Sequence, residues 1–183
     1  MDNGASSYRR FLDGDESAFD EIMKEMFDNL VFFIDRYVHD VHAAEDIAID
    51  TFSDLVVNRR RYNFKVTLKT YVFMLGRSRA LNYIKHRKKL TFEELSEAEN
   101  VSDDREILEE SVLTDELKRT VNDALSELSE EMHTAVHLVY FEELTYEEAA
   151  KVMKKSRKQV DNLLYRAKKE LRNILGKDGE ELL

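Results

Sequence analysis

Two stretches of this 183-residue chain concentrate cations in a way that suits polyanion binding. Residues 59–89 carry 11 basic and no acidic side chains, and residues 151–177 carry 10 basic and 2 acidic ones. The remainder is acidic and brings the net charge to −10. Two basic blocks in an acidic chain predict two separate contacts with nucleic acid. The negative net charge predicts that the free chain binds DNA weakly and needs a partner that supplies positive charge, because long-range repulsion opposes the phosphates.

Capping patterns around the second basic block predict a helix-turn-helix. Thr145 with Glu148 and Ser156 with Gln159 each have the spacing of a capping box, so two helices should begin there, separated by about three residues. Many helical hairpins share this outline without binding DNA. The residues on the outer face of the second helix therefore decide whether the motif binds DNA or is only a helical hairpin.

That outer face carries side chains that can read or hold duplex DNA. Lysine and arginine match the acceptors of guanine, asparagine matches adenine, and further cations can hold phosphates without reading sequence. Recognition helices read bases mainly with their N-terminal residues. The predicted base readers are Arg157, Lys158 and Asn162. The wider predicted set adds Gln159, Tyr165, Arg166, Lys168 and Lys169.

The first basic block interleaves cations with aromatic rings, which is typical of single-strand binding. Phosphates are neutralised by the cations, and unpaired bases stack on the ring faces. The dense apolar run at residues 72–75 is more simply read as core. Tyr62 and Phe64 instead lie in a polar, basic loop, and we expect their rings to be exposed for stacking.

Other chemistry finds little support in the residue pattern. His133 and His137 are one helical turn apart, but the glutamate of the zinc-protease pattern is absent between them. His39 and His42 flank Asp40 at a predicted helix junction. We expect all four histidines to be surface or capping residues. The chain has no cysteine, no glycine-rich phosphate loop and no nucleophile paired with a base, so we predict no catalytic residue, metal, cofactor or small-molecule substrate.

The elements that position these side chains are predicted to be helical throughout. Proline is absent and there are only five glycines, so long helices are favoured over a fold with many turns. Apolar spacing predicts helices near 8–12, over 16–38, 41–60 with Asp40 as its cap, and 67–89. A single amphipathic helix is predicted from Leu125 to Tyr140. With no secretory signal and no apolar run of membrane-spanning length, we expect a cytoplasmic protein.

The charge pattern also predicts the domain organisation. We expect an all-α chain of two small helical domains, 1–89 and 113–178, joined by an acidic linker at 90–112. The second domain would contain the helix-turn-helix.

Motifs in both halves resemble the extracytoplasmic-function (ECF) group of the sigma-70 family. AEDIAIDTF at 44–52 resembles its polymerase-binding helix, and LKTYVFMLGRSRALNYIK at 68–85 resembles the helix after its promoter-melting loop. LSEE at 128–131, TYEEAA at 145–150 and LYRAKKEL at 164–171 resemble its C-terminal helix-turn-helix. The motifs occur in family order. Residues that depart from the usual pattern are Ile49, Tyr71, Ser78, Asn82, Gln159, Asp161 and Leu163.

The resemblance implies a role for each surface. The C-terminal helix would read the −35 promoter element with Arg157, Lys158, Gln159, Asn162, Tyr165, Arg166 and Lys169. The first basic block would bind and melt the −10 element with Arg61, Tyr62, Asn63, Phe64, Lys65, Lys69, Tyr71, Arg77, Asn82 and Lys85. Core RNA polymerase would be bound through Glu45, Asp46, Ile49, Asp50, Phe52 and Asp54.

The resemblance also implies the partners. They are the clamp of the largest polymerase subunit, the flap of the second-largest subunit, promoter DNA and an anti-sigma factor, and the free protein would be a monomer. One alternative is a stand-alone helix-turn-helix repressor or activator, which leaves residues 59–89 unexplained. The other is a helical adaptor whose basic faces meet acidic proteins or membranes, which would need exposed apolar stripes beside them.

Overall fold

The computed structural model describes residues 4–94 and 120–175, and all regular structure in those ranges is helical. This confirms the predicted all-α class. The N-terminal half contains α1 (Ala5–Leu12), α2 (Ser17–Val38), α3 (Val41–Val57) and α4 (Leu68–Glu94). The third helix ends before the predicted residue 60, and the fourth continues past the predicted residue 89. Most of the predicted linker lies outside the described residues.

Helix α2 is the centre of the N-terminal bundle and contacts α1, α3 and α4. Its apolar residues recur at helical spacing, so that Ile22, Met26 and Leu30 are completely buried on one stripe. Helix α4 crosses this stripe at Gly76. A Cβ atom at Gly76 would lie 2.7 Å from a methyl group of Leu30 and 3.3 Å from one of Ile34, so the close crossing depends on glycine.

The junction between α2 and α3 follows from the caps at its two residues. His39 takes the left-handed conformation, with φ of 53°, and ends α2. Asp40 then begins α3 as predicted, because its carboxylate accepts a hydrogen bond from the amide of Ala43 at 3.1 Å. The two helices can therefore turn back on each other and pack.

The C-terminal half begins with the helical residues 120–126 (α5). It continues with α6 (Glu130–Val136), a π-helical turn at His137–Phe141, α7 (Tyr146–Met153) and α8 (Arg157–Leu175). The predicted single helix from Leu125 to Tyr140 is wrong. Ser129 interrupts it, because its hydroxyl accepts a hydrogen bond from the amide of Met132 at 3.4 Å and begins a new helix.

Both predicted capping boxes are present and form the helix-turn-helix. At α7, the Thr145 hydroxyl accepts from the amide of Glu148, whose carboxylate accepts from the amide of Thr145 at 2.9 Å. At α8, Ser156 and Gln159 exchange equivalent bonds of 2.7 and 3.2 Å. Lys154, with φ of 54°, supplies the left-handed turn between the helices.

The two halves pack against each other. Helix α7 contacts α4, and α6 contacts α2. Among the described helices, none combines the length and apolar character needed to cross a bilayer.

Candidate nucleic-acid interface

The outer face of α8 is polar and exposed, as the residue pattern predicts. Val160, Leu163, Leu164, Ala167 and Leu171 are buried against the rest of the C-terminal half. The opposite side of the helix is open to solvent over three turns. Its exposed predicted DNA-binding residues are Lys158, Asn162, Tyr165, Arg166 and Lys169.

Two of the predicted DNA readers at the start of α8 already have partners within the protein. The amide oxygen of the Gln159 side chain accepts the backbone N–H of Ser156 at 2.7 Å. That side chain is committed to the cap, so its direct contact with a base is not favoured. Nε of Arg157 lies 2.9 Å from Oε1 of Glu147, and both side chains are exposed. Such an exposed pair is weak and leaves Arg157 able to exchange Glu147 for DNA.

Lys168 lies on the flank of α8 beside α6 and its π turn. Its Nζ is 5.3 Å from the ring centroid of Tyr140. A hydrogen bond with the Tyr140 hydroxyl raises the pKa of Lys168 above its ordinary value. The ammonium group therefore remains charged beside the exposed cations of the helix.

The loop between α3 and α4 contradicts the expectation that Tyr62 is an exposed ring. Tyr62 is 3% exposed and its hydroxyl donates to the carbonyl of Val66 at 2.7 Å. Its ring packs on Tyr8 and Phe64, with centroids 5.4 and 4.6 Å apart. Packing against other aromatic rings determines the position of the Tyr62 ring, although the neighbouring residues are polar. Tyr62 therefore stabilises the loop and does not present its ring for base stacking.

The other residues of this loop present a mixed cationic surface. Phe64 is half-buried and has φ of 60°, and the guanidinium group of Arg9 lies 4.9 Å from its ring centroid. Asn63 stabilises the turn by accepting the amide N–H of Lys65 at 3.1 Å. Arg61, Asn63 and Lys65 are exposed, so one partly open ring lies among groups that can bind a phosphate backbone.

The predicted DNA-binding residues of α4 differ in how available they are. Asn82 and Lys85 are exposed. Tyr71 is partly buried, with its ring 5.1 Å from that of Tyr62. Arg77 is also partly buried and its Nε donates to the Tyr37 hydroxyl at 3.3 Å. Nζ of Lys69 lies 2.8 Å from Oε2 of Glu142 in the C-terminal half, so this cation already has a partner.

Helix α3 presents an acidic outer face at the positions where polymerase binding is predicted. Glu45, Asp46, Ile49 and Asp50 are exposed, and Ile49 is 50% exposed. Phe52 does not share this face. It is 2% exposed and packs in the core, so it supports this face from within, and its contact with polymerase stays a prediction.

Asp54 likewise faces inward rather than towards a partner. It is 10% exposed, and its carboxylate lies 3.2 Å from Arg61 and 3.8 Å from Arg79. It also accepts a hydrogen bond from the side-chain amide of Asn58 at 2.7 Å. The charge of Asp54 therefore ties α3, the loop and α4 together, and its direct contact with polymerase stays a prediction.

The residue pattern missed an apolar edge on the same outer face of α3. Val57 is 79% and Ile49 is 50% exposed. At about 100° per residue, Val57 points between Asp46 and Asp50, and Ile49 points between Glu45 and Asp46. Val41, which is 50% exposed, lies at the opposite edge of this face. The acidic face therefore also offers apolar contact area to a partner.

The two histidines of α6 and its π turn contradict the expectation of surface or capping residues. His133 is 7% and His137 is 4% exposed. His39 is exposed at the end of α2, and Nδ1 of the exposed His42 lies 3.7 Å from Glu45. In the described ranges no group of histidine, aspartate and glutamate side chains is placed to hold a metal ion.

Comparisons with known proteins agree with this geometry. Residues 118–171 match the family Sigma-70, region 4. RNA polymerase sigma-H factor of Pseudomonas aeruginosa is 29% identical over 172 residues, covering 88% of each chain. RNA polymerase sigma factor YlaC of Bacillus subtilis is 24% identical over 165 residues, covering 90% of this chain and 95% of the relative.

This chain belongs to the ECF group of the sigma-70 family. Its fold is also similar to that of two solved proteins. RpoE from Bartonella quintana, in complex with the anti-sigma factor NepR, superposes with a TM-score of 0.68 at 19% identity, covering 87% of this chain and 98% of that one. CnrH, in complex with the cytosolic domain of CnrY, gives a TM-score of 0.61 at 18% identity and 96% coverage of both chains.

Proposed function

We propose that this ECF sigma factor binds core RNA polymerase, directs it to promoters by recognising −35 and −10 elements, and promotes transcription initiation. The observation that carries the proposal is the exposed cationic face of α8 on a capped helix-turn-helix, within a segment that matches sigma-70 region 4. The protein would act without catalysis of its own, since promoter recognition and strand capture are binding events.

The −35 element would be read by the first turns of α8. Lys158 and Asn162 present a cation and an amide on the exposed face, where they fit guanine and adenine edges in a major groove. Arg157 would exchange Glu147 for DNA. Arg166 and Lys169, further along the same face, would fix the register through phosphates, and Tyr165 adds an exposed ring of 73% relative exposure.

The −10 element would be bound by the loop between α3 and α4 together with the exposed side of α4. Arg61, Asn63 and Lys65 would hold the phosphate backbone of one strand, with Phe64 the ring nearest to it. Asn82 and Lys85 extend this surface along α4. Tyr62 and Tyr71 contribute by supporting the loop from beneath.

Core polymerase would be bound through the outer face of α3. Glu45, Asp46 and Asp50 supply negative charge for a basic partner surface, and Ile49 and Val57 supply apolar contact. The clamp of the largest subunit is the proposed partner of this face, and the flap of the second-largest subunit that of the C-terminal half. An anti-sigma factor is the proposed inhibitor, because the structurally similar sigma factor RpoE was solved in complex with one.

Run-off transcription with purified bacterial core enzyme tests the proposal. A library of promoter fragments should give discrete products when this protein is added and none when core enzyme acts alone. Gel-shift measurements should show that the free protein binds the same fragments weakly. Tight binding of the free protein to duplex DNA without any transcript would overturn the proposal in favour of an independent DNA-binding regulator.

A further inference from the structure

Helix α1 is fixed to the loop between α3 and α4 by one buried tyrosine. Tyr8 is completely buried, and its hydroxyl donates to the carbonyl oxygens of Leu55 at 2.9 Å and of Arg59 at 3.0 Å. These carbonyls lie in the last turn of α3 and just beyond it, where partners within the helix are lacking. Burial is the main cause that raises the pKa of Tyr8 to about 12, so the hydroxyl remains a donor. Helix α1 therefore holds the beginning of the loop in place.

The same helix contributes the outermost layer of an aromatic stack in that loop. The ring centroid of Tyr8 is 5.4 Å from that of Tyr62 and 6.3 Å from that of Phe64, and the latter two are 4.6 Å apart. The guanidinium group of Arg9 lies over the ring of Phe64, 4.9 Å from its centroid. Tyr62 is buried, Phe64 is half-buried and Arg9 is exposed, so the three side chains lead from the core to the surface.

The charge of Arg9 is more available than that of the next residue. The guanidinium group of Arg10 lies 2.6 Å from Asp15 and 2.9 Å from Glu21. Within residues 4–94 and 120–175, by contrast, Arg9 has no ion-pair partner and contacts the face of an aromatic ring instead. Arg9 thus adds a cation from a distant part of the sequence to the surface formed by residues 59–89.

A guanidinium group in this position can bind a base as well as a phosphate. Unpaired bases stack on arginine guanidinium planes as they do on aromatic rings. Arg9 already covers the ring of Phe64, and Tyr62 and Tyr8 are the other neighbours of that ring, so an incoming base would meet the guanidinium plane first. The positive charge attracts the ring on one side and the base on the other. A lysine would supply the charge without the plane.

We propose that Arg9 is a further residue of the strand-binding surface, and that its guanidinium plane is the face on which an unpaired base of the promoter strand stacks. Phe64 supports the guanidinium group from within. Tyr8 is a positioning residue, which holds α1 and the loop in the orientation that the stack requires. The identity of the strand as promoter DNA rests on the proposed function, but the stacking of a single-stranded base on Arg9 does not.

The test measures how the full-length protein binds a short single-stranded oligonucleotide in which 2-aminopurine replaces the adenines. Because stacking changes the fluorescence of 2-aminopurine, one titration at low salt reports both affinity and stacking. Arg9→Lys keeps the charge and loses the plane. It should weaken binding about fivefold or more, the lower end of what one stacked base contributes, and remove most of the fluorescence change. The dependence of affinity on salt should stay as in the wild type, because the charge is unchanged.

Arg10→Lys is the matched control, because it makes the same exchange at the neighbouring exposed arginine. It should bind like the wild type. Phe64→Leu removes the supporting ring and should also weaken binding. Adding Arg9→Lys to Phe64→Leu should have little further effect, since both layers act on the same base. Circular dichroism should show that all of these variants keep their helices.

Three outcomes would overturn the inference. One is a wild-type titration without a change in 2-aminopurine fluorescence. Another is equal affinity of Arg9→Lys and the wild type, since Arg9 would then act through its charge alone. The third is an equal loss in Arg9→Lys and Arg10→Lys, which would mean that the position of the plane over Phe64 does not matter. All three are measured without polymerase, so a failure here is distinguishable from a failure of the run-off experiment.

Discussion

At the scale of single residues, His133 makes the stability of the C-terminal half depend on pH. Burial is the main reason that its pKa falls to about 3, with smaller contributions from Arg36 and His137. The unfolded chain takes up this proton near pH 6.5, whereas the folded protein excludes it down to about pH 3. The unfolded state therefore binds more protons between these values, and stability falls as the pH is lowered through this window.

The expected loss is about 2 kcal/mol in the free energy of unfolding between pH 7 and pH 5. Urea unfolding of the wild type and of His133→Gln, each at both pH values, measures it. The variant should lose this part of the pH dependence even where it is less stable overall. An equal pH dependence in the two proteins would mean that folding does not shift the pKa of His133.

Asn162 tests whether α8 reads bases or only holds the backbone. Asn162→Ala should reduce discrimination at one base pair of the −35 element by about 1–3 kcal/mol, because the amide is the group that distinguishes adenine. Transcription from a set of promoters with single changes in that element measures it. Lys169→Ala, on the same exposed face, should weaken all promoters alike. An equal loss of transcription from all promoters in Asn162→Ala would instead indicate that Asn162 contacts phosphates.

At the scale of elements, Asp54 connects α3, the proposed polymerase-binding helix, to the loop that we propose captures a DNA strand. Its carboxylate contacts Arg61 in the loop and Arg79 on α4, so it positions groups of the proposed DNA-binding surface. Arg61 is 63% exposed, so we expect each ion pair to contribute no more than about 1 kcal/mol to stability. The fold should survive the loss of this carboxylate while the loop becomes less ordered.

Asp54→Asn should therefore keep the affinity for core polymerase and slow open-complex formation several-fold. Asp50→Asn is the matched variant one helical turn away, and its exposed side chain should show the reverse, with weaker polymerase binding and normal melting once bound. Core affinity by fluorescence anisotropy and strand opening by permanganate footprinting separate the two effects. If Asp54→Asn weakened only the binding of polymerase, we would assign Asp54 to the surface that contacts polymerase.

Short-range patterns in the sequence were sufficient to predict much of the fold and the outer face of α8. Asp40, Thr145 and Ser156 act through neighbours within three residues, so their caps could be predicted from spacing alone. The orientation of α8 followed from one apolar stripe. The loop at residues 58–67 could not be read in the same way, because the burial of Tyr62 depends on Tyr8, which is distant in sequence.

Long-range pairing explains the remaining differences between the sequence pattern and the structure. Asp54 and Phe52 lie within the helix expected to bind polymerase, but their directions are set by contacts with α4, the loop and the core. His133 and His137 were expected at the surface because no local pattern records the packing of α6 on α2. Charge blocks likewise indicated two nucleic-acid surfaces without indicating that one block would fold onto the other.

At the scale of the whole molecule, the contact between the halves should make the free protein unfold as one cooperative unit. Tyr37 contributes through its buried hydroxyl, which is bonded to Thr134 and approached by Arg77, and burial is the main cause that raises its pKa. Glu142 contributes through its pair with Lys69. Removing one member of a buried pair leaves the other uncompensated, at a cost of about 3–5 kcal/mol, unless the halves separate and water reaches it.

Scanning calorimetry of the free protein should accordingly give one transition for the wild type and two for the double variant Tyr37→Phe with Glu142→Gln. Each half of the variant would then unfold at its own temperature, because the stabilisation that one half gains from the other is lost. Glu143→Gln removes the same charge from the exposed neighbour and should keep the single transition. Two transitions in the wild type would mean that the halves unfold independently even with Glu142 and Lys69 in place.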